Sequence, residues 1–159
     1  MADNSKTVSA PRPPLSDWEA QAALQSRLEA DLFSINKATL FDALVFTGVT
    51  TIIVTFDGYG DSGQIEDVEV QGSDDNIAMP GAMIEFARAI WGQSEPKRST
   101  VTIATAVENL AYDVLQRTHG GWENNDGAYG EVVFDVAKRE ITLDYNERYT
   151  ASENYTHSF

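Results

Sequence analysis

Cysteine is absent from all 159 residues. That absence excludes disulfides, thiol nucleophiles, zinc ribbons and thiolate-held iron–sulfur clusters together. Histidine is scarce, with His119 and His157 the only two. Basic residues are few: 11 Lys and Arg stand against 25 Asp and Glu, for a formal net charge of -14. A chain of this sign is not expected to bind nucleic acid directly, because affinity for phosphate comes from Lys and Arg displacing counterions. Anionic membrane surfaces are disfavoured for the same reason. Long apolar runs are also missing. Ala43-Leu44-Val45-Phe46 and Ile52-Ile53-Val54 are far too short to span a bilayer. The first residues, MADNSKTVSAPRPP, lack the apolar centre of a signal peptide. The expected compartment is the cytoplasm.

What is present suffices for one core. At this length a folded chain buries roughly two thirds of the surface it exposes when unfolded, and 42% of the residues are hydrophobic. Residues 1–15 are polar and carry Pro11, Pro13 and Pro14, so they are expected to stay disordered. Residues 16–159 are expected to form a single α+β domain. Ser16-Asp17-Trp18-Glu19 has the capping-box form, and Leu24, Leu28, Leu32 and Ile35 follow at helical spacing. Leu40, Phe41, Leu44 and Val45 continue that period, as a second helix or a bent continuation, with Gly48 suited to the end. Residues 50–56 read as a buried strand, and residues 57–63 as a turn. A returning strand follows at 64–70, where the opposite parity of Ile65 and Val68 calls for a β-bulge. In residues 83–91, Ile84, Phe86 and Ile90 alternate as in a strand while the alanines would suit a helix; the strand is the preferred reading. Ile103, Ala106, Val107, Leu110, Val114 and Leu115 make a helical stripe, capped by Thr100 or Thr102. Val132, Phe134, Val136, Ile141, Leu143 and Tyr145 alternate as a hairpin with one buried face. Together these predict an antiparallel sheet of four to five strands with helices packed on one face. The last ten residues read as an irregular tail, anchored by Tyr155 or Phe159.

No standard catalytic constellation is present. There is no Gly-x-Ser-x-Gly elbow and no phosphate-binding P-loop. Gly58-x-Gly60-x-x-Gly63 matches a dinucleotide fingerprint in letters, but no helical pattern follows it and Asp61 would oppose a pyrophosphate, so a hairpin turn is the better reading. Carboxylates remain as the plentiful reactive groups. Asp57, Asp61 and Glu66, with Asn124 and Asp126 from a second oxygen-rich loop, could hold Ca²⁺ or Mg²⁺ if the two loops meet. The same residue types also serve turns with no ligand. The EF-hand template fails, because Tyr59, Ser62 and Val68 fall at its third, sixth and twelfth positions. His119 lies at a predicted helix end, where it either complements the helix terminus or works with a carboxylate in a small enzyme.

The charge is unevenly spread. Between Lys37 and Arg88 there is no basic residue, while nine acids occur: Asp42, Asp57, Asp61, Glu66, Asp67, Glu69, Asp74, Asp75 and Glu85. If the hairpin reading holds, most of them share an edge or face, whose field would attract a basic partner. Asp57, Asp61, Glu66, Asp67 and Glu69, with Tyr59 as an aromatic anchor, form the candidate patch. An acidic solvated surface that serves solubility alone is the competing interpretation. Trp91 and Trp122 sit beside predicted turns, as anchors or as covers for the core edge.

Several blocks carry a family resemblance: Phe56 through Glu66 (FDGYGDSGQIE), Glu108 through Asp113 (ENLAYD), Gly120 through Gly130 (GGWENNDGAYG) and Leu143 through Tyr149 (LDYNERY). They resemble a bacterial domain-of-unknown-function family, similar to proteins found among accessory genes of plasmids and other mobile elements. The resemblance runs over residues 40–159. It implies a bacterial accessory protein and brings no activity, cofactor or catalytic residue. The expected function is therefore a non-enzymatic acidic interaction module. Its partner would be a protein with a basic surface, such as a nucleic-acid-binding protein inhibited by a DNA mimic. A divalent-cation domain and a His119 enzyme are the alternatives.

Overall fold

The computed structural model describes residues 17–59, 62–73, 77–124 and 126–159. The expected N-terminal tail, the Ser16 cap and Asp61 lie outside them. The chain runs α1 (Asp17–Leu44), β1 (Val49–Tyr59), β2 (Ser62–Gly72), β3 (Met83–Arg88), β4 (Lys97–Thr102), α2 (Ile103–Thr118), β5 (Ala128–Asp135) and β6 (Glu140–Glu147). The fold is α+β. β2, β1, β5 and β6 form a four-stranded antiparallel sheet in that order, and β3 and β4 form a separate two-stranded sheet.

The main sheet is one-sided. Ile52, Val54 and Phe56 of β1 and Val132 and Phe134 of β5 point to one face and are fully buried. The helices cover that face: Phe41 of α1 meets Phe134 at 6.4 Å between ring centroids, and the Tyr112 hydroxyl of α2 accepts from the Ile65 N–H at 3.0 Å. The expected β-bulge is present. Thr55 pairs with Asp67 and Phe56 with Ile65, so Glu66 is the extra residue. The bulge lets Ile65 and Val68 both pack toward the core despite their opposite parity.

The first helix is one continuous 28-residue element. Its buried residues Leu32, Asn36, Leu40, Phe41 and Leu44 form a stripe at helical spacing, so the segment from Leu40 is a continuation and not a second helix. Asn36 Nδ2 donates to the Ala87 carbonyl at 2.9 Å, and its Oδ1 accepts from the Ala87 N–H at 3.0 Å. One amide thus satisfies both backbone groups of a buried β3 residue and ties the strand to the helix. Beyond Leu44 the chain turns through Gly48, at φ +88°.

Residues 83–88 are a strand, as the alternation predicts. Its partner β4 was not foreseen, because Lys97-Arg98-Ser99-Thr100 is exposed throughout and carries no apolar alternation. Thr102 is the cap of α2; its Oγ1 accepts from the Thr105 N–H at 3.1 Å. Residues 148–159 form no helix or strand. Tyr155 and Phe159 are exposed and their contacts are local to the tail, with the Tyr155 hydroxyl donating to Glu153 Oε2 at 2.8 Å and Phe159 facing His157 at 6.4 Å, which corrects the expectation that they anchor it. No helix of the described residues is long and apolar enough to cross a membrane.

Asn36→Leu is expected to lower stability by about 2–4 kcal/mol, since both Ala87 groups lose their partner in a buried setting. Urea unfolding followed by circular dichroism measures this, and a loss below about 0.5 kcal/mol would contradict the proposed tie.

Candidate functional site

The face of the main sheet turned away from the helices carries the acids. Registers across the four strands place its side chains in rows. One row reads Gln71, Thr51, Asp135, Glu140. The next reads Glu69, Ile53, Val133, Thr142, and the third Asp67, Thr55, Glu131, Asp144. The fourth reads Gln64, Asp57, Tyr129, Asn146. Glu66 stands at the bulge beside the third row. Along one strand, carboxylates two residues apart are separated by about 6.6–6.8 Å. Across strands, Glu131 lies directly opposite Asp144, and Asp135 directly opposite Glu140. Directly opposed like charges destabilise a sheet.

This face is poor in cations. Among the described residues its one ion-paired acid is Asp57, whose Oδ1 is 3.0 Å from Arg148 Nη1. Arg148 also donates to the Gly58 carbonyl at 3.0 Å and lies over the Tyr129 ring, 4.7 Å from its centroid. It closes the end of the face next to a depression of about 400 Å³ bordered by Glu66, Glu131 and Asp144. The remaining described ion pairs, Arg98–Glu85 and Arg139–Asp42, use carboxylates outside the four rows.

The structure thus gathers Asp57, Glu66, Asp67 and Glu69 on one surface. Glu131, Asp135, Glu140 and Asp144 of β5 and β6 join them and were missed in the sequence. Their signal was available: Glu131 and Asp135 alternate with the buried Val132, Phe134 and Val136, and so face away from the core. Tyr59 is 73% exposed at the hairpin end. Trp122 is buried and is a cover for the core edge. It meets Phe56 edge-on at 5.3 Å and rests on Gly58 and Gly63, which pair across the β1–β2 hairpin. A Cβ on either glycine would come within 2.6 Å of the indole. Those two glycines of the apparent fingerprint therefore make room for a tryptophan.

Of the candidate cation ligands, Asp61 lies outside the described residues. No three His, Asp or Glu side chains among the described residues converge as metal ligands. Asp126 Oδ2 accepts from the Thr150 hydroxyl at 2.7 Å, while Arg148 occupies Asp57. His119 is exposed and stacks flat on Tyr145, 3.6 Å between centroids and 6° between planes. Its ring hydrogen-bonds no carboxylate among the described residues, and it lines a depression shared with Asp126, Tyr145, Glu147 and Arg148. Burial first, then the carboxylates of Glu147 and Glu123, pushes the Tyr145 phenol up. Glu123 Oε1 is buried with no hydrogen-bond partner among the described residues.

A family model matches residues 32–159, which take in both helices' packed portions, all six strands and every residue of the acidic rows. The chain belongs to this family, DUF6878, a family of unknown function. The match includes residues 83–91 and begins within α1, so the exposed first half of that helix precedes the family region. No curated protein and no solved structure matches the chain.

Gly58→Ala is expected to cost about 1–3 kcal/mol through overpacking against Trp122 and the Glu123 backbone. Gly81→Ala, where an added Cβ meets nothing within 4 Å, is expected to stay within about 0.5 kcal/mol of the parent. Paired urea melts with tryptophan emission as the readout separate the two.

Proposed function

We propose that the helix-free face of the main sheet docks a protein with a basic surface, and that the chain acts as a non-enzymatic interaction module. One observation carries the reading: Glu131 and Asp144 stand directly opposed on this face, with Asp67 in the same row and, among the described residues, no cation paired to any of them. A surface selected for solubility alone gains nothing from aligning like charges across strands. A surface that receives a basic partner gains a concentrated field, which steers encounter and excludes wrong partners. A nucleic-acid-binding protein is the natural partner class, because its own surface is built to meet rows of negative charge. Inhibition by DNA mimicry, in a bacterial accessory or mobile-element setting, is the finer form of this proposal, supported by the resemblance of the sequence blocks.

Two measurements test it. Glu131→Gln relieves the opposed pair and is expected to stabilise the fold by about 0.2–1 kcal/mol while weakening partner capture. Reversal of Asp67, Glu131 and Asp144 to Lys is expected to weaken capture of basic partners at moderate salt at least tenfold, about 1.4 kcal/mol. The same change in net charge placed at Asp31, Glu95 and Glu108, off this face, is expected to leave capture intact. Equal loss from both triple variants would reduce the effect to bulk charge and reject the docking face.

A further inference from the structure

A second feature lies on the helical side of the domain. α1, α2 and β3 line a cavity of about 250 Å³ that opens to solvent. Phe33 and Phe86 form apolar parts of its wall. Arg117 lies over the Phe33 ring, with Cζ 4.7 Å from the centroid, and Arg88 over Phe86 at 5.4 Å. Among the described residues neither arginine has a carboxylate within 4.0 Å, since the ion pairs belong to Arg98, Arg139 and Arg148. Of the described bases without such an ion pair, Arg88 and Arg117 are the two that line this cavity. Asp113 and Glu29 line the same cavity. Glu29 Oε2 accepts from Gln25, and Asp113 makes no hydrogen bond or ion pair among the described residues. Desolvation raises the Asp113 carboxyl above its usual range, Glu29 adds to that, and Arg88 and Arg117 only partly oppose it.

Two cations and two acids thus surround one small space with apolar walls, and none is closed into an ion pair with another. A simple anion would suit the arginines and meet the two acids; a simple cation would do the reverse. A ligand that satisfies all four carries a carboxylate and an ammonium close together, with an apolar group for the rings. The volume falls below the roughly 300 Å³ at which drug-sized pockets begin, so the ligand is small. We propose that this cavity binds a free apolar α-amino acid, with its carboxylate at Arg88 and Arg117, its ammonium at Asp113 and Glu29, and its side chain against Phe33 and Phe86. Guanidinium groups recognise carboxylates through paired N–H donors. The site is independent of the acidic sheet face.

Titration calorimetry and ligand-observed NMR on the full chain test this with leucine and phenylalanine as probes. Saturable binding of one or both is expected. Leucinamide, which lacks the carboxylate, and N-acetyl-leucine, which lacks the ammonium, are each expected to bind at least tenfold more weakly. Arg117→Gln and Asp113→Asn are expected to weaken leucine by a similar factor, whereas Glu131→Gln on the sheet face leaves it unchanged. No saturation by any of the standard amino acids up to about 10 mM would overturn the proposal. So would equal binding of leucine, its amide and its acetyl derivative, which would make the site a mere apolar hole. Binding of inorganic phosphate with no amino acid bound would likewise overturn it. The ligand series needs no variant, so an unstable substitution cannot obscure the result.

Discussion

The period-two alternation of β1 and β5, locked by burial on one side only, is the constraint on which the molecule depends. Ile52, Val54 and Phe56, with Val132 and Phe134, are driven under the helices because exposing them would forfeit about 1.5–3 kcal/mol each. Once those residues are placed, their neighbours must point the other way. A slip of one residue would bury Asp57, Glu131 and Asp135 and expose the core. The acidic face is therefore held in position by the apolar one. The bulge at Glu66 belongs to the same constraint, since it restores Ile65 to the core side after Val68.

Secondary contacts close the frame around that sheet. Asn36 fixes β3 to α1 through both Ala87 backbone groups, which keeps the two-stranded sheet near the helices without joining it to the main sheet. Trp122 seals the end of the β1–β2 hairpin over two glycines. Arg148 seals the neighbouring corner by joining Asp57 and the Gly58 carbonyl. These contacts are polar or aromatic, and each acts at the rim of the hydrophobic core, where the chain changes direction and backbone groups would otherwise be unpaired.

The two candidate sites use charge in opposite ways. On the sheet face, like charges are aligned and exposed, so the field projects outward. In the cavity between α1, α2 and β3, unlike charges are held apart around a small space open to solvent, so their fields partly cancel at a distance and act on what enters. The first arrangement suits a large partner that approaches along the field. The second suits a small zwitterion that fits between separated charges.

The sequence by itself determined the helices, five of the six strands, the bulge and the excess of acid, because each depends on local period or composition. It located Asp57, Glu66, Asp67 and Glu69, which lie near one another along the chain. It left β4 unread, since Lys97 to Thr102 pairs with β3 without any apolar alternation of its own. It also left open whether the segment from Leu40 is a second helix or a continuation, because only the distant partner Ala87 gives the Asn36 amide a reason to sit within a helix. Only the tertiary structure joined Glu131 and Asp144 to Asp67, as strand order β2-β1-β5-β6 cannot be inferred from alternation within single strands. Only it set Arg88, Arg117, Glu29 and Asp113 around one cavity. These groups come from three elements far apart in sequence, and their proximity is fixed by how the elements pack.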